Sequence, residues 1–158
     1  MGNLLYVRAM EKGCEVAYTD KNHEVITSIK NVRLKRWLNE LGKFYNQPVK
    51  ETTKLVAKKY GYHQKVPSII KMNEILLFPT VALNDHECYL INYYCVNKYH
   101  KDNVGTRIKF HDHNEYVNIP LKYEVSVPFD RRIIKNQMQR CQKLHNDYRC
   151  MSLEEYLN

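Results

Sequence analysis

Four side chains in the C-terminal half have the types and spacing that a zinc site uses. His111 and His113 stand two apart on a strand pattern, so both project from one side. Cys141 and His145 stand four apart on a helix pattern and share a face. Against that chemistry, His111 and His113 continue the parity of Arg107 and Lys109, the side expected to meet water, beside a hairpin turn. Cys88 and Cys95, seven apart, fall on opposite faces of one predicted strand, and there is no Cys-x-x-Cys pair. Asp85-His86-Glu87 is the one dense polar triplet, and it reads as a loop. The chain also lacks a Gly-rich phosphate loop, a Gly-x-Ser-x-Gly elbow and a carboxylate pair within an apolar run. The expectation is therefore no enzyme, no metal and no cofactor, with a zinc-dependent enzyme kept as an alternative.

Charge carries the stronger signal. Lys and Arg number 25 against 17 Asp and Glu, a formal +8. Residues 30–71 hold eleven cations and only two anions, Glu40 and Glu51, whereas the remainder of the chain nets −1. The excess is thus segregated into one stretch of 42 residues, a field that attracts a polyanion. Ordinary cationic surfaces intersperse both signs. Like charges as close as Arg33, Lys35 and Arg36 repel, and a phosphate lattice relieves that repulsion while releasing counterions. The expected contacts are Arg33, Lys35, Arg36, Lys43, Lys50, Lys54, Lys58, Lys59 and Lys65. Arg131, Arg132 and Lys135 form a second, weaker patch. Asn31, Asn39, Asn46, Gln47 and Gln64 lie among the cations, where amides reach phosphates or base edges. The competing interpretation is a protein-interaction module that docks an acidic partner on the same basic face.

These cations need elements to hold them. Residues 4–10, a second stretch containing Val16 and Tyr18, and residues 25–29 are strand-like and separated by turn clusters, which predicts a meander. Leu34, Trp37, Leu38, Leu41 and Phe44 then recur at helical spacing, with Asn31 as the expected N-cap. A second helix opens at Pro48, buries Val49, Thr52, Val56 and Tyr60 on one face, and stops at Gly61. Lys50, Lys54 and Lys58 stack on another side. Lys58 and Lys59 also suit the negative end of the helix dipole, which is the bland reason for those two.

Strands resume at 68–72 and 75–78 around Asn73-Glu74. Residues 88–96 read as a central strand covered on both faces, 106–110 as a half-exposed strand and 116–119 as its partner. Ser126, as a cap before Pro128, opens a long helix with Phe129, Ile133, Ile134, Met138, Cys141, Leu144 and Tyr148 as its buried stripe. Ser152 with Glu155 forms a capping box for a last short turn. Among the 13 tyrosines, Tyr89, Tyr93 and Tyr94 are expected in the core, and Tyr45, Tyr60 and Tyr62 to pack more than to stack on bases.

The fold class that follows is α+β. It has mostly antiparallel strands, with two basic helices in the middle and one long helix at the end, expected as a single domain over residues 1–158. The longest apolar run, Ile75-Leu76-Leu77-Phe78, is far short of a membrane span. The first residues do not read as a secretory leader, and five irregularly spaced cysteines make no disulfide framework. A cytoplasmic protein is expected, with no membrane partner.

Three stretches resemble a known family. Lys43-Phe44-Tyr45 closes the first basic helix, Lys65-Val66-Pro67-Ser68-Ile69 follows the second, and Leu77-Phe78-Pro79-Thr80 comes about a dozen residues later. This order is similar to that of the competence transcription factor ComK family of Bacilli, over roughly residues 4–146. The chain departs from the family pattern in placing Asn46 after the aromatic pair, Val66 in the Lys-Pro-Pro run, and Glu51-Thr52-Thr53-Lys54 where the family has Gly-Arg-Lys. The resemblance implies binding to A·T-rich double-stranded DNA, largely through the minor groove, and activation of DNA-uptake genes. It also implies contact with RNA polymerase and a proteolytic adaptor, and palindromic A·T sites suit a homodimer.

Overall fold

The computed structural model describes residues 2–114 and 116–148. A meander of β1 (Leu4–Met10), β2 (Gly13–Thr19) and β3 (Val25–Lys30) opens the chain, as the turn clusters predict. Helices α1 (Leu34–Phe44) and α2 (Val49–Tyr60) follow. The chain then adds β4 (Ser68–Lys71), β5 (Ile75–Pro79) and β6 (Tyr89–Asn92) to the free edge of β1. The result is a six-stranded sheet in the order β3-β2-β1-β6-β5-β4, antiparallel at every pairing. Strands β7 (Val96–Lys101), β8 (Thr106–His113) and β9 (Asn118–Val127) make a second antiparallel sheet, and α3 (Arg131–Tyr148) ends the described chain. The expected α+β class is observed.

The apolar runs are continuous because the six-stranded sheet is covered on both faces. Successive strand residues point to opposite sides, so Ile75 and Leu77 join Val7, Val16, Leu90 and the helix residues Leu34, Leu38 and Val49. Leu76 and Phe78 face the other way. They meet Ile91, the second sheet through Ile108 and Phe110, and α3 through Ile134, Cys141 and Leu144. Helix α1 and the start of α2 at Val49 therefore cover one side, the second sheet with α3 covers the other, and α2 reaches that second cluster through Val56 and Tyr60. Asp112 of β8 ties the second sheet to the meander: its buried carboxylate accepts from Asn3 Nδ2, from Thr19 Oγ1 at 3.0 Å and from His23 Nδ1 at 2.6 Å.

Several boundaries differ from the sequence pattern. The predicted strand at 88–96 is broken at Asn92. The Asn92 amide donates to the carbonyls of Leu4 and Glu74, while its oxygen accepts from the backbone of Leu76 and Tyr94. That satisfied buried side chain caps a 3₁₀ turn at Tyr93–Cys95, and the chain leaves one sheet for the other there. Cys88 and Cys95 thus do not share a strand.

The partner expected at 116–119 instead runs on as β9 to Val127, so Ser126 is a strand residue whose hydroxyl donates to Asp102 at 2.7 Å. Asp130 opens α3, accepting from the Arg132 amide at 2.8 Å. Arg33, not Asn31, sits at the N-cap of α1. Phe44 falls outside the buried stripe and is 75% exposed. In α3 the buried face includes Gln137, and Tyr148 is only half-buried. The capping box at Ser152 and Glu155 lies outside the described residues.

Candidate nucleic-acid interface

Helix α1 buries Leu34 and Leu38 and turns Lys35 and Asn39 toward α2. Helix α2 buries Val49, Thr52 and Val56 and holds Lys50, Thr53 and Lys54 on the flank that faces back. The two helices come close because Gly42 has no side chain: a Cβ there would stand 2.4 Å from both Gln47 O and Val49 Cγ2. Gly61 ends α2 in the left-handed region at φ 69°, where glycine is the least strained residue. The loop beyond it delivers Gln64 and Lys65, the latter also at positive φ.

These parts enclose a cleft of about 560 Å³. Lys35, Lys50, Lys54 and Lys65 line it from three separate segments, with the amides of Asn39 and Gln64 beside them. Its deeper wall is apolar, with Leu38, Val49, Val66, Pro79, Val81 and Leu83. Thr53 also lines it, and the Thr53 hydroxyl oxygen is buried without a hydrogen-bond partner among the described residues. An orphaned buried hydroxyl costs about 1–3 kcal/mol.

Of the nine expected contacts, all but the half-buried Lys65 are exposed. Arg36 is paired with Glu40 at 3.3 Å, a solvent-facing bond of little worth. The four cleft lysines have no carboxylate within ion-pair distance among the described residues. Arg33, Arg36, Lys43, Lys58 and Lys59 do not line the cleft. Arg33 and Arg36 instead flank Lys35 at the start of α1, which carries no acid in its first turn and no side-chain cap. Cations at the positive end of a helix dipole are misplaced for stability and well placed for a bound anion. In α2 the order is the stabilising one, Glu51 in the first turn and Lys58 and Lys59 in the last.

The backbone of Lys65 is held from α3. Gln137 Nε2 donates to the carbonyls of Lys65 and Pro79, each at 2.7 Å, and Arg140 donates to Gln64 O at 2.9 Å. Gln137 escaped the sequence reading because a lone glutamine on an apolar stripe carries no signal of its partners. Val81, Ala82 and Leu83 escaped it as well, although apolar residues directly after Pro79-Thr80 were the available clue.

The tyrosines of the basic stretch pack inward. Tyr60 and Tyr62 stack at 5.5 Å, Arg140 covers Tyr62 at 4.3 Å, and the Tyr60 hydroxyl donates to Asp147 at 2.5 Å. The second patch is interrupted by acids, with Arg132 on Asp130 at 3.2 Å, and Arg131 lies over the Tyr99 ring.

The three histidines considered for zinc gather around Tyr94, whose ring packs against His113 and His145, and their ring nitrogens bond other groups. His111 Nε2 meets Tyr94 O at 2.8 Å, and His113 meets Asn73 O and Asn118 Oδ1. His145 Nδ1 meets the Tyr94 hydroxyl at 2.8 Å. Cys141 is fully buried, which raises its thiol pKa well above the ordinary value. No cluster of three or more His, Cys, Asp or Glu suited to a metal occurs among the described residues.

The family model for the ComK protein matches residues 5–151, nearly the whole chain. The chain belongs to the ComK family. That family is one of competence transcription factors, and membership in it supports a role in transcription regulation. Searches of curated proteins and of solved structures returned no match. On this ComK fold, two of the three stretches that carry the resemblance meet at the cleft, through Lys65, Val66 and Ser68 on one side and Pro79 on the other. Among the described residues no helix is long and apolar enough to cross a membrane.

Proposed function

We propose that the cleft face of this ComK-family protein binds double-stranded DNA, prefers A·T-rich sites read largely through the minor groove, and activates DNA-uptake genes. The observation that carries the reading is the convergence of Lys35, Lys50, Lys54 and Lys65 on one cleft, none of them neutralised by an acid among the described residues. The cationic start of α1 extends the same field. Phosphates are the natural counter-charge, because each one contacted releases condensed counterions. Asn39 and Gln64 supply donors and acceptors between the lysines. Two copies of the chain on a palindromic site would double the contact.

A duplex titration at several ionic strengths tests this. If the four cleft lysines each neutralise a phosphate, log affinity falls against log salt with a slope near −3.6, about 0.9 per contact. A flat response removes the reading. Competition between A·T and G·C duplexes of equal length tests the sequence preference, and equal competition leaves only nonspecific binding.

A further inference from the structure

The cleft offers more than charge, since apolar side chains line it beside the lysines. Backbone phosphates would neutralise its lysines, but they would leave the apolar wall of Leu38, Val49, Val66 and Leu83 without a partner. A volume of about 560 Å³ lies within the range of small-molecule sites, and a mostly apolar lining with a few convergent polar groups is their usual composition. Lys50 and Lys54 stand four apart on α2, so their two ammonium groups rise from the same helical flank above that wall.

We propose that the cleft binds a free small amphipathic anion, an alkyl or aryl chain bearing a carboxylate or phosphate. The chain covers the apolar wall. The head group lies among Lys50, Lys54 and Lys65. Because these lysines also face DNA in the reading above, a bound anion competes with the duplex; that consequence alone rests on the DNA reading, and occupancy of the cleft does not.

The experiment is titration calorimetry of the full chain with decanoate, without DNA, beside acetate, decyltrimethylammonium and vesicles of phosphatidylglycerol. The expected result is saturable one-site binding of decanoate that acetate and the cationic analogue do not reproduce. Two variants locate it. Ala82→Trp, an exposed loop position on the cleft wall, narrows the cleft without removing a cation and weakens decanoate roughly tenfold or more. Lys54→Gln removes one head-group charge without touching the apolar wall and lowers decanoate affinity, which a site held by the apolar wall alone would not show. Absence of saturable binding overturns the proposal. So does equal binding of the cationic analogue, binding to vesicles alone, or affinity unchanged in both variants. Decanoate binding that leaves duplex affinity untouched supports the ligand site and overturns the placement of DNA on the cleft.

Discussion

Gln137 of α3 donates from its side-chain amide to the carbonyl oxygen of Lys65 at 2.7 Å, linking residues 72 positions apart. The second amide hydrogen goes to Pro79 O at the same distance, so one buried side chain pins both walls of the cleft to the scaffold helix.

Gln137→Leu should therefore loosen the cleft as well as the fold. Arg140 still reaches Lys65 O weakly, at 3.4 Å, but nothing replaces the bond to Pro79 O. The expected loss is about 1–3 kcal/mol, the cost of an unmet buried carbonyl. Urea unfolding measures it, and a midpoint equal to that of the parent chain contradicts the linkage.

Removing single charges should act through the salt dependence. Lys54→Gln is expected to reduce the slope of log affinity against log salt by about 0.9. Lys122→Gln, an exposed lysine on β9 in the second sheet, should leave the slope as it was. Equal effects of the two substitutions would mean a diffuse cationic surface and no localised face.

Gly42 sets the distance between the basic helices. Alanine is intrinsically the better helix residue by about 1 kcal/mol, yet its Cβ would strike Gln47 O, a backbone atom fixed by the 2.7 Å bond from Gln47 N to Gly42 O. Overpacking of that kind costs about 1–3 kcal/mol, so Gly42→Ala should destabilise on balance and weaken duplex binding by moving Lys35 relative to Lys50. Gly61→Ala meets open space and pays only for the left-handed backbone, about 1 kcal/mol. Thermal melts of the two variants check the order.

Stability should fall in alkali. Burial pushes the Cys88 thiol up to about 11 and the Cys95 thiol up to about 12, from an ordinary value of 9.0. The folded chain therefore holds protons that the unfolded chain has lost, and the stabilisation present below pH 9 declines as pH rises toward 11. Urea unfolding between about pH 8 and about pH 10.5 should show this decline. In Cys88→Ala the decline should be shallower by up to about 1.4 kcal/mol per pH unit. An unchanged slope would exclude Cys88 as a source.

Local pattern was enough for much of the architecture. Turn clusters marked the meander, apolar spacing of three and four marked α1 and α2, and Gly61 marked the end of α2, because these signals act within a few residues of one another. The basic stretch was legible for the same reason, since charge counts need no coordinates. The break at Asn92 and the late start of α3 were not legible. Asn92 interrupts the strand by bonding Leu4 and Glu74, and Ser126 stays extended because β9 pairs with β8 as far as Thr106.

Composition and periodicity alone determined that the positive charge is segregated and that helices carry it. Only the tertiary structure decided which cations share a face. Lys35, Lys50, Lys54 and Lys65 converge because Gly42 lets α1 approach α2 and because α3 holds the loop at Lys65. Arg33, Arg36, Lys43, Lys58 and Lys59 lie off the cleft, since a helix distributes successive residues around its axis. The apolar wall of the cleft comes from segments more than 40 residues apart, Leu38 and Leu83 among them, and contacts between such segments are set by packing, which no local pattern encodes.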